Sequence, residues 1–438
     1  MMIENLGHKT LHGLKWSYLS TVAISVIQVG FTAVMARLLD PASFGLMGMA
    51  HIMLRFGSYF AQMGVGAAII QKGALDLAEI RAGFTLSLIF SASFFVLSWI
   101  FAPLSEYLFH DAQVTEIVRW MAFAFVLTGL STISLSLLRA QMQFHLVAVI
   151  DVVSFIIGYV AIGIALALSG WGVWSLVFCS LAQAFLQVLL AYFFAPHPLL
   201  PLFDVQRFRG LVSYGGRLSV ISFIQFLYYL IQPVVIGRYF GATVLGFFNN
   251  ALRLVNLPLE NLVAAMTRVL FPSMSQMQAE PERLRRAFSV VYTVLAMVVV
   301  PIAVGILAAA EDIVGALLGP KWEPSIPLLR ILAIAAPFSL LNSVNGIVYD
   351  ATANLTRKIR IEVFSIVAMC IACFGLLQFG VRWVVVGYTT VEIARFLLYG
   401  ATMSRVVNFR FADLNSKHVA IFVNAAVVGL VAPSRSAN

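Results

Sequence analysis

The chain has 438 residues, of which 61% are hydrophobic and 11% charged, against roughly 25% charged in an average soluble domain. Too little polar surface is available to cover several water-soluble cores, so an ordinary soluble enzyme is excluded and a polytopic membrane protein remains. The net charge of +9 reads as basic loops facing anionic lipid; no basic run is long enough for a nucleic-acid surface.

Windows of about twenty residues predict spans at 14–38, 44–69, 82–103, 117–138, 146–168 and 171–194, then at 212–239, 244–270, 287–309, 325–349, 359–380 and 383–405. The first is too long for a signal-peptide core and is expected to stay as span one. Residues 196–210 carry Pro196, Pro198, Pro201, Arg207 and Arg209, a helix-breaking cytoplasmic linker between an N-lobe (1–195) and a C-lobe (211–405). This linker is expected to be compliant. Gly45 and Gly246 are expected to permit tight outer turns, and Pro233 to loosen span seven. Residues 406–438 form a polar joint, a partial thirteenth segment (419–432) and a tail. Cys179, Cys370 and Cys373 all lie in apolar stretches and read as small packing residues, with no disulfide framework, metal site or other cofactor expected.

Orientation follows from the basic residues. The N-terminus and the even-numbered connections hold most of them, including Arg283, Arg285, Arg286, Arg357, Lys358 and Arg360, whereas the odd connections hold Arg37, Arg119, Arg238, Lys321 and Arg382. The positive-inside rule then puts the N-terminus in the cytoplasm. Trp99, Trp120, Trp171, Trp174, Trp322 and Trp383 fall near outer span ends, where amphipathic rings anchor at headgroup depth.

An internal repeat constrains the fold further. The segment from Arg37 to Gly45 and on to Met47, joining spans one and two, aligns with Arg238 to Gly246 and on to Phe248, joining spans seven and eight, at an offset of 201. Arg81-Ala-Gly-Phe84 aligns with Arg285-Arg-Ala-Phe288 at an offset of 204. Six spans per half and a common starting side imply a parallel duplication, hence an all-α bundle of two six-helix lobes enclosing a cleft.

Polar stripes indicate which spans wall that cleft. In span two, His51, Arg55, Ser58 and Gln62 recur every three or four residues, within about 60° on one helical face. Span eight repeats this with Asn249, Arg253, Asn256 and Glu260. Span seven carries Ser222, Gln225, Tyr229 and Gln232, and span one Ser17, Thr21, Gln28 and Thr32. Spans ten and twelve add Asn342, Asn345 and Tyr349, and Glu392, Arg395 and Tyr399.

A mid-span arginine costs on the order of 2.5 to 3.5 kcal/mol on insertion scales, so it faces protein, water or an anion. Arg55 and Arg253, one per lobe, read either as interhelical glue or as a paired site for a dense negative headgroup, since guanidinium donates two parallel hydrogen bonds to phosphate. His51, Gln62, Asn249, Asn256, Gln225 and Tyr229 would offer hydrogen bonds to sugar or phosphate oxygens. Arg395 reads equally as a further substrate contact or as the ion-pair partner of Glu392, one turn away. Glu260 is the candidate for coupling to an ion gradient, of H+ or Na+.

Three motifs carry a resemblance: Ala36-Arg-Leu-Leu-Asp-Pro-Ala-Ser-Phe-Gly45, Phe271-Pro-Ser-Met274, and the run from Leu317 through Gly-Pro-Lys-Trp322 to Leu332. Over about 14–414 the chain resembles the polysaccharide transporter family of Wzx-type oligosaccharide flippases, in the superfamily that includes the multidrug and toxin extrusion (MATE) fold. The resemblance implies a MATE-like bundle of twelve transmembrane helices with helices one, two, seven and eight as cleft walls. It implies translocation of undecaprenyl-diphosphate-linked oligosaccharide across the bacterial inner membrane by alternating access, for O-antigen, capsule or exopolysaccharide synthesis. Membrane lipids, and polymerase and chain-length proteins of the same pathway, would be the partners. Many members look like fourteen-span proteins, and this sequence departs from them in ending near its thirteenth segment; against the family the last pair of spans is expected to be missing through truncation.

Two rival classes fit less well. A drug-cation antiporter of the same fold would want carboxylates in the cleft, where this sequence sets arginine. A glycan polymerase or ligase would need catalytic groups on a sizeable outer loop, and the largest, near Ser105 to Thr115 and Glu311 to Pro324, are short.

Overall fold

The computed structural model describes residues 2–61, 69, 76–277, 280–352 and 354–407; the partial thirteenth segment and Gln62 lie outside them. All regular structure among these residues is helical. The chain runs through α1 (Met2–Leu38), α2 (Pro41–Ala61), α3 (Leu77–Phe101), a short α4 (Pro103–Phe109) and α5 (Ala112–Ala140). Span five comprises α6 (Phe144–Phe155), a π-helical stretch (Ile156–Gly163) and α7 (Ile164–Leu168), and α8 (Val173–Phe194) follows. Beyond the linker come α9 (Val205–Gln276), α10 (Pro281–Ala308), α11 (Ala310–Leu317), α12 (Ile326–Ala351), α13 (Leu355–Gly375) and α14 (Val381–Val407). Among the described residues, nine helices are long and apolar enough to cross a membrane.

The chain divides into two compact units, residues 1–226 with 237–243, and residues 227–236 with 244–438. Each is built around its fourth span. In the first unit α5 packs against α3 and α8; in the second α12 packs against α10 and α14. Span five against span six in the first unit has its counterpart in α13 against α14 in the second. The same pairings recur because duplicated sequences bury corresponding faces, as the 201-residue offset predicts.

Between apolar helices in lipid, close approach and hydrogen bonds replace the hydrophobic driving force. Ser87 Oγ donates to the Gly129 carbonyl at 3.0 Å, and a side chain at Gly129 would collide with Ser91. At Gly158, in the π-helical stretch, an added Cβ would lie 2.7 Å from the backbone nitrogen of Gln183, so span five is glycine-dependent where it meets α8.

Several expectations change in detail. Spans seven and eight are two helices within α9 that meet at a kink at Gly241, with φ 81° and ψ 177°; Gly241, not Gly246, supplies the unusual backbone. Gly45 sits inside α2, where a Cβ would strike the Ala242 carbonyl, so its role is close approach rather than a turn. Arg238 donates through Nη1 to the carbonyls of Tyr107 at 2.9 Å and Leu108 at 2.6 Å, satisfying the orphan carbonyls that end α4. Trp99, Trp120, Trp171 and Trp383 are exposed as interfacial anchors would be. Trp322 is instead fully buried, with Phe247 edge-on at 5.8 Å.

The segment after α8 is stapled rather than loose. Ser134 Oγ donates to the Ala195 carbonyl at 2.9 Å, Arg81 Nε to Leu200 at 3.0 Å, and the Leu202 N–H to Thr85 Oγ1 at 2.7 Å. His197 is buried, 3.2 Å through Nδ1 from the Pro198 carbonyl and edge-on to Phe84 at 4.9 Å. These bonds replace the ones the prolines remove, and α9 starts at Val205.

Burial pushes the His197 pKa below its ordinary 6.5. The unfolded chain therefore takes up the proton first, so stability is complete above that value and falls as pH drops through it. Thermal unfolding in detergent should show a lower Tm at pH 5 than at pH 7.5, and His197→Phe should shrink that difference. Gly45→Ala should cost about 1 to 3 kcal/mol by overpacking against Ala242, read as a drop in Tm.

Candidate functional site

On α2 the buried stripe is Leu46, Met49, Ala50 and Leu54, while His51 and Arg55 are exposed on another face. His51 Nδ1 lies 2.9 Å from the Met47 carbonyl one turn back, which fixes its ring. In the second unit, Asn249, Arg253 and Asn256 are all half-buried on the same stripe of α9, at steps of four and three. Gln225 is half-buried and Tyr229 is 47% exposed. The side chains of Ser58 and Glu260 lie outside the described set. The stripes on spans two and eight thus each carry an arginine, exposed at Arg55 and half-buried at Arg253, about one helical turn out of register with the 201-residue offset.

Spans ten and twelve behave differently. Arg395 is 5% exposed and belongs to a buried ionic cluster within the second unit. Its Nη2 donates to Glu362 Oε1 at 2.6 Å, its Nη1 lies 3.7 Å from Glu392 Oε1, and its guanidinium stands 4.8 Å from the centre of the Tyr228 ring. Glu392 also accepts from the Tyr228 hydroxyl at 2.8 Å and from Asn342 Nδ2 at 2.9 Å. Glu362 Oε1 accepts from the Tyr399 hydroxyl at 3.0 Å as well, while its buried Oε2 has no hydrogen-bond partner. Of the other two residues named from the sequence, Tyr349 donates to Thr402 at 2.6 Å, and Asn345 is buried.

The cluster ties α9, α12, α13 and α14 together at membrane depth. Two carboxylates against one guanidinium leave one negative charge, which a proton or a small cation would cancel. Pattern reading found Arg395, Glu392, Asn342 and Tyr399 but missed Glu362 and Tyr228. A lone acid in the apolar span 359–380 was the available signal for Glu362. Tyr228 lies three residues after Gln225 and four before Gln232, so it fits the helical spacing as well as Tyr229 does, and spacing alone did not choose between them. Among the described residues no group of His, Cys, Asp and Glu has the make-up of a metal site.

Comparisons with known proteins fit this architecture. A family model described as "Polysaccharide biosynthesis protein" matches residues 34–327. The teichuronic acid biosynthesis protein TuaB of Bacillus subtilis is 24% identical over 446 residues, covering 98% of this chain and 89% of that protein. Among solved structures, the lipid II flippase MurJ in an inward closed conformation superposes with a TM-score of 0.74 at 14% identity, covering 95% of this chain and 91% of the other. An inward-facing multidrug resistance MATE family transporter of the MOP superfamily gives 0.66 at 16% identity, covering 89% and 98%. At such identities the two structures establish a shared fold.

Arg395→Met should strand Glu362 and Glu392 and cost about 3 to 5 kcal/mol, the penalty for breaking a buried pair. Tyr228→Phe should cost roughly 1.5 to 3 kcal/mol, one hydrogen bond to a charged group. Denaturation in detergent micelles measures both, and an Arg395→Met protein as stable as the parent would mean that the carboxylates are already neutral.

Proposed function

The chain belongs to the polysaccharide biosynthesis protein family, and from that premise we propose that it is a flippase moving undecaprenyl-diphosphate-linked oligosaccharide across the bacterial inner membrane by alternating access. The observation that carries the proposal is the pair of polar stripes on spans two and eight, each with an arginine, Arg55 and Arg253. A diphosphate is the densest anionic group on such a substrate, and guanidinium binds it with fixed charge and paired donors. His51, Asn249, Asn256, Gln225 and Tyr229, with Gln62, would supply hydrogen bonds to sugar and phosphate oxygens. Arg395 is already engaged by Glu362, which favours a structural role for it over a substrate contact.

No covalent chemistry is required of the protein, and no cofactor. A drug-cation antiporter is disfavoured because the exposed charge on α2 is cationic. Two carboxyl sites are candidates for coupling to an H+ or Na+ gradient: Glu260, on the Arg253 stripe, and the Glu362–Arg395–Glu392 cluster, whose charge balance requires one added positive charge. The inner membrane, the cytoplasmic N-terminus and association with the pathway's polymerase and chain-length proteins belong to the same proposal.

Glycan export in cells lacking the native transporter tests it. Arg55→Ala and Arg253→Ala should each abolish export at normal membrane levels, and the lysine variants should restore part of it. Glu260→Gln and Glu362→Gln should impair export while substrate binding persists. Full export by both alanine variants would remove the diphosphate role, whereas full export by both glutamine variants would remove only the coupling role.

A further inference from the structure

The first unit carries an apolar groove that the proposed transport reaction does not use. Phe123, Val126 and Leu127 of α5 form one wall, Phe178 and Phe185 of α8 the other, and Ile162 of the π-helical stretch lies between. Its volume is about 450 Å³, room for on the order of fifteen methylenes if each takes about the volume of a water, roughly 30 Å³. That suits one hydrocarbon chain and is far too small for an undecaprenyl tail. The wall spacing is glycine-dependent, since Gly158 meets the backbone of Gln183 beside it, and π-helical insertions of this kind are frequent at functional sites.

The groove's own lining is apolar, and a cation lies one helical turn beyond it. Arg119 stands one turn before Phe123 on the same stripe of α5, with its guanidinium 5.6 Å from the centre of the Trp99 ring. Its Nε is buried and makes no hydrogen bond, and among the described residues no carboxylate forms an ion pair with it. Trp120 touches both walls, 6.0 Å from Phe123 and 5.6 Å from Phe178, and Trp171 and Trp174 pack on Phe178 at 5.7 and 6.0 Å. Such a tryptophan belt marks headgroup depth. From Arg119 to Leu127 the helix rises about 12 Å, close to one leaflet of a hydrocarbon core about 30 Å thick.

We infer that this groove is a binding site for one anionic glycerophospholipid, its phosphate on Arg119 and one acyl chain between α5 and α8. The complementarity is of charge and of length: a cation with no carboxylate ion-pair partner among the described residues stands at headgroup depth, one helical turn beyond an apolar slot one leaflet deep and one chain wide. The site stands independently of the flippase reading.

Native mass spectrometry of the full-length protein, exchanged into micelles containing phosphatidylglycerol or phosphatidylcholine, tests it. The wild type should retain one phosphatidylglycerol through detergent removal and should not retain phosphatidylcholine. Arg119→Gln should weaken retention about tenfold, a single charge-assisted contact; Arg119→Lys should recover part of it, and Glu116→Gln should leave it unchanged. Ala182→Phe, which fills the slot, should abolish retention. Equal retention by the wild type and Arg119→Gln would overturn the site even if Ala182→Phe fails to fold. So would a co-purifying polyprenyl phosphate in the slot, or a dimer that Ala182→Phe disrupts.

Discussion

A charge set at membrane depth must be answered by another group at the same depth, because the surroundings offer no water to solvate it. In the second unit Arg395 meets that demand. Its guanidinium draws Glu362 of α13 and Glu392 of its own helix into one cluster, and those carboxylates in turn fix Tyr228, Asn342 and Tyr399. Four helices acquire a common register from one buried cation. Replacing the cluster with apolar groups could be energetically neutral, so its retention is better explained by specificity or by the charge it leaves uncancelled. At the ends of α12 and α13, Lys358 plays a similar part, holding both oxygens of Asp350 at 2.7 Å.

The first unit relies on backbone rather than on charge. Hydroxyls and one arginine take up the carbonyls and N–H groups that the proline-rich connection leaves open, so the chain leaves α8 along a fixed path and re-enters helix at once. The outer corner works likewise: Arg238 closes the end of α4, and Gly45 allows α2 to approach the Ala242 carbonyl. Residues 237–243 belong to the first unit although the residues on both sides of them in sequence belong to the second. The Arg238 bonds and the whole of the linker 196–210 thus lie within the first unit.

Much of the fold is legible in the sequence because lipid imposes long apolar helices, and a duplication of about 200 residues repeats their order. Among the described residues nine helices are long and apolar enough to cross a membrane, and each overlaps at least one span read from hydropathy. Hydropathy separated spans seven and eight near residues 240–243, where the chain kinks at Gly241, but it did not single out Gly241 as the residue with positive φ. It also treated residues 196–210 as loose, since the staples come from Arg81, Thr85 and Ser134, more than sixty residues away in sequence at Ser134 and farther for the other two. Trp322 was read as an anchor from its position, but Phe247 and its neighbours enclose it. In the candidate site, periodicity found arginine-centred stripes yet could not tell Arg55, which is exposed, from Arg395, which is neutralised by Glu362. That distinction depends on a contact across 33 positions.

The central claim is that two arginines, one from each half of the chain, handle the diphosphate of a lipid-linked glycan. Reconstitution into proteoliposomes with a short-chain polyprenyl-diphosphate oligosaccharide, scored by protection of the sugar from an external glycosidase, tests it most directly. The account predicts protein-dependent translocation that the Arg55→Ala/Arg253→Ala double variant loses, with no exchange of cationic dyes. Dye exchange without movement of the lipid-linked sugar would contradict it.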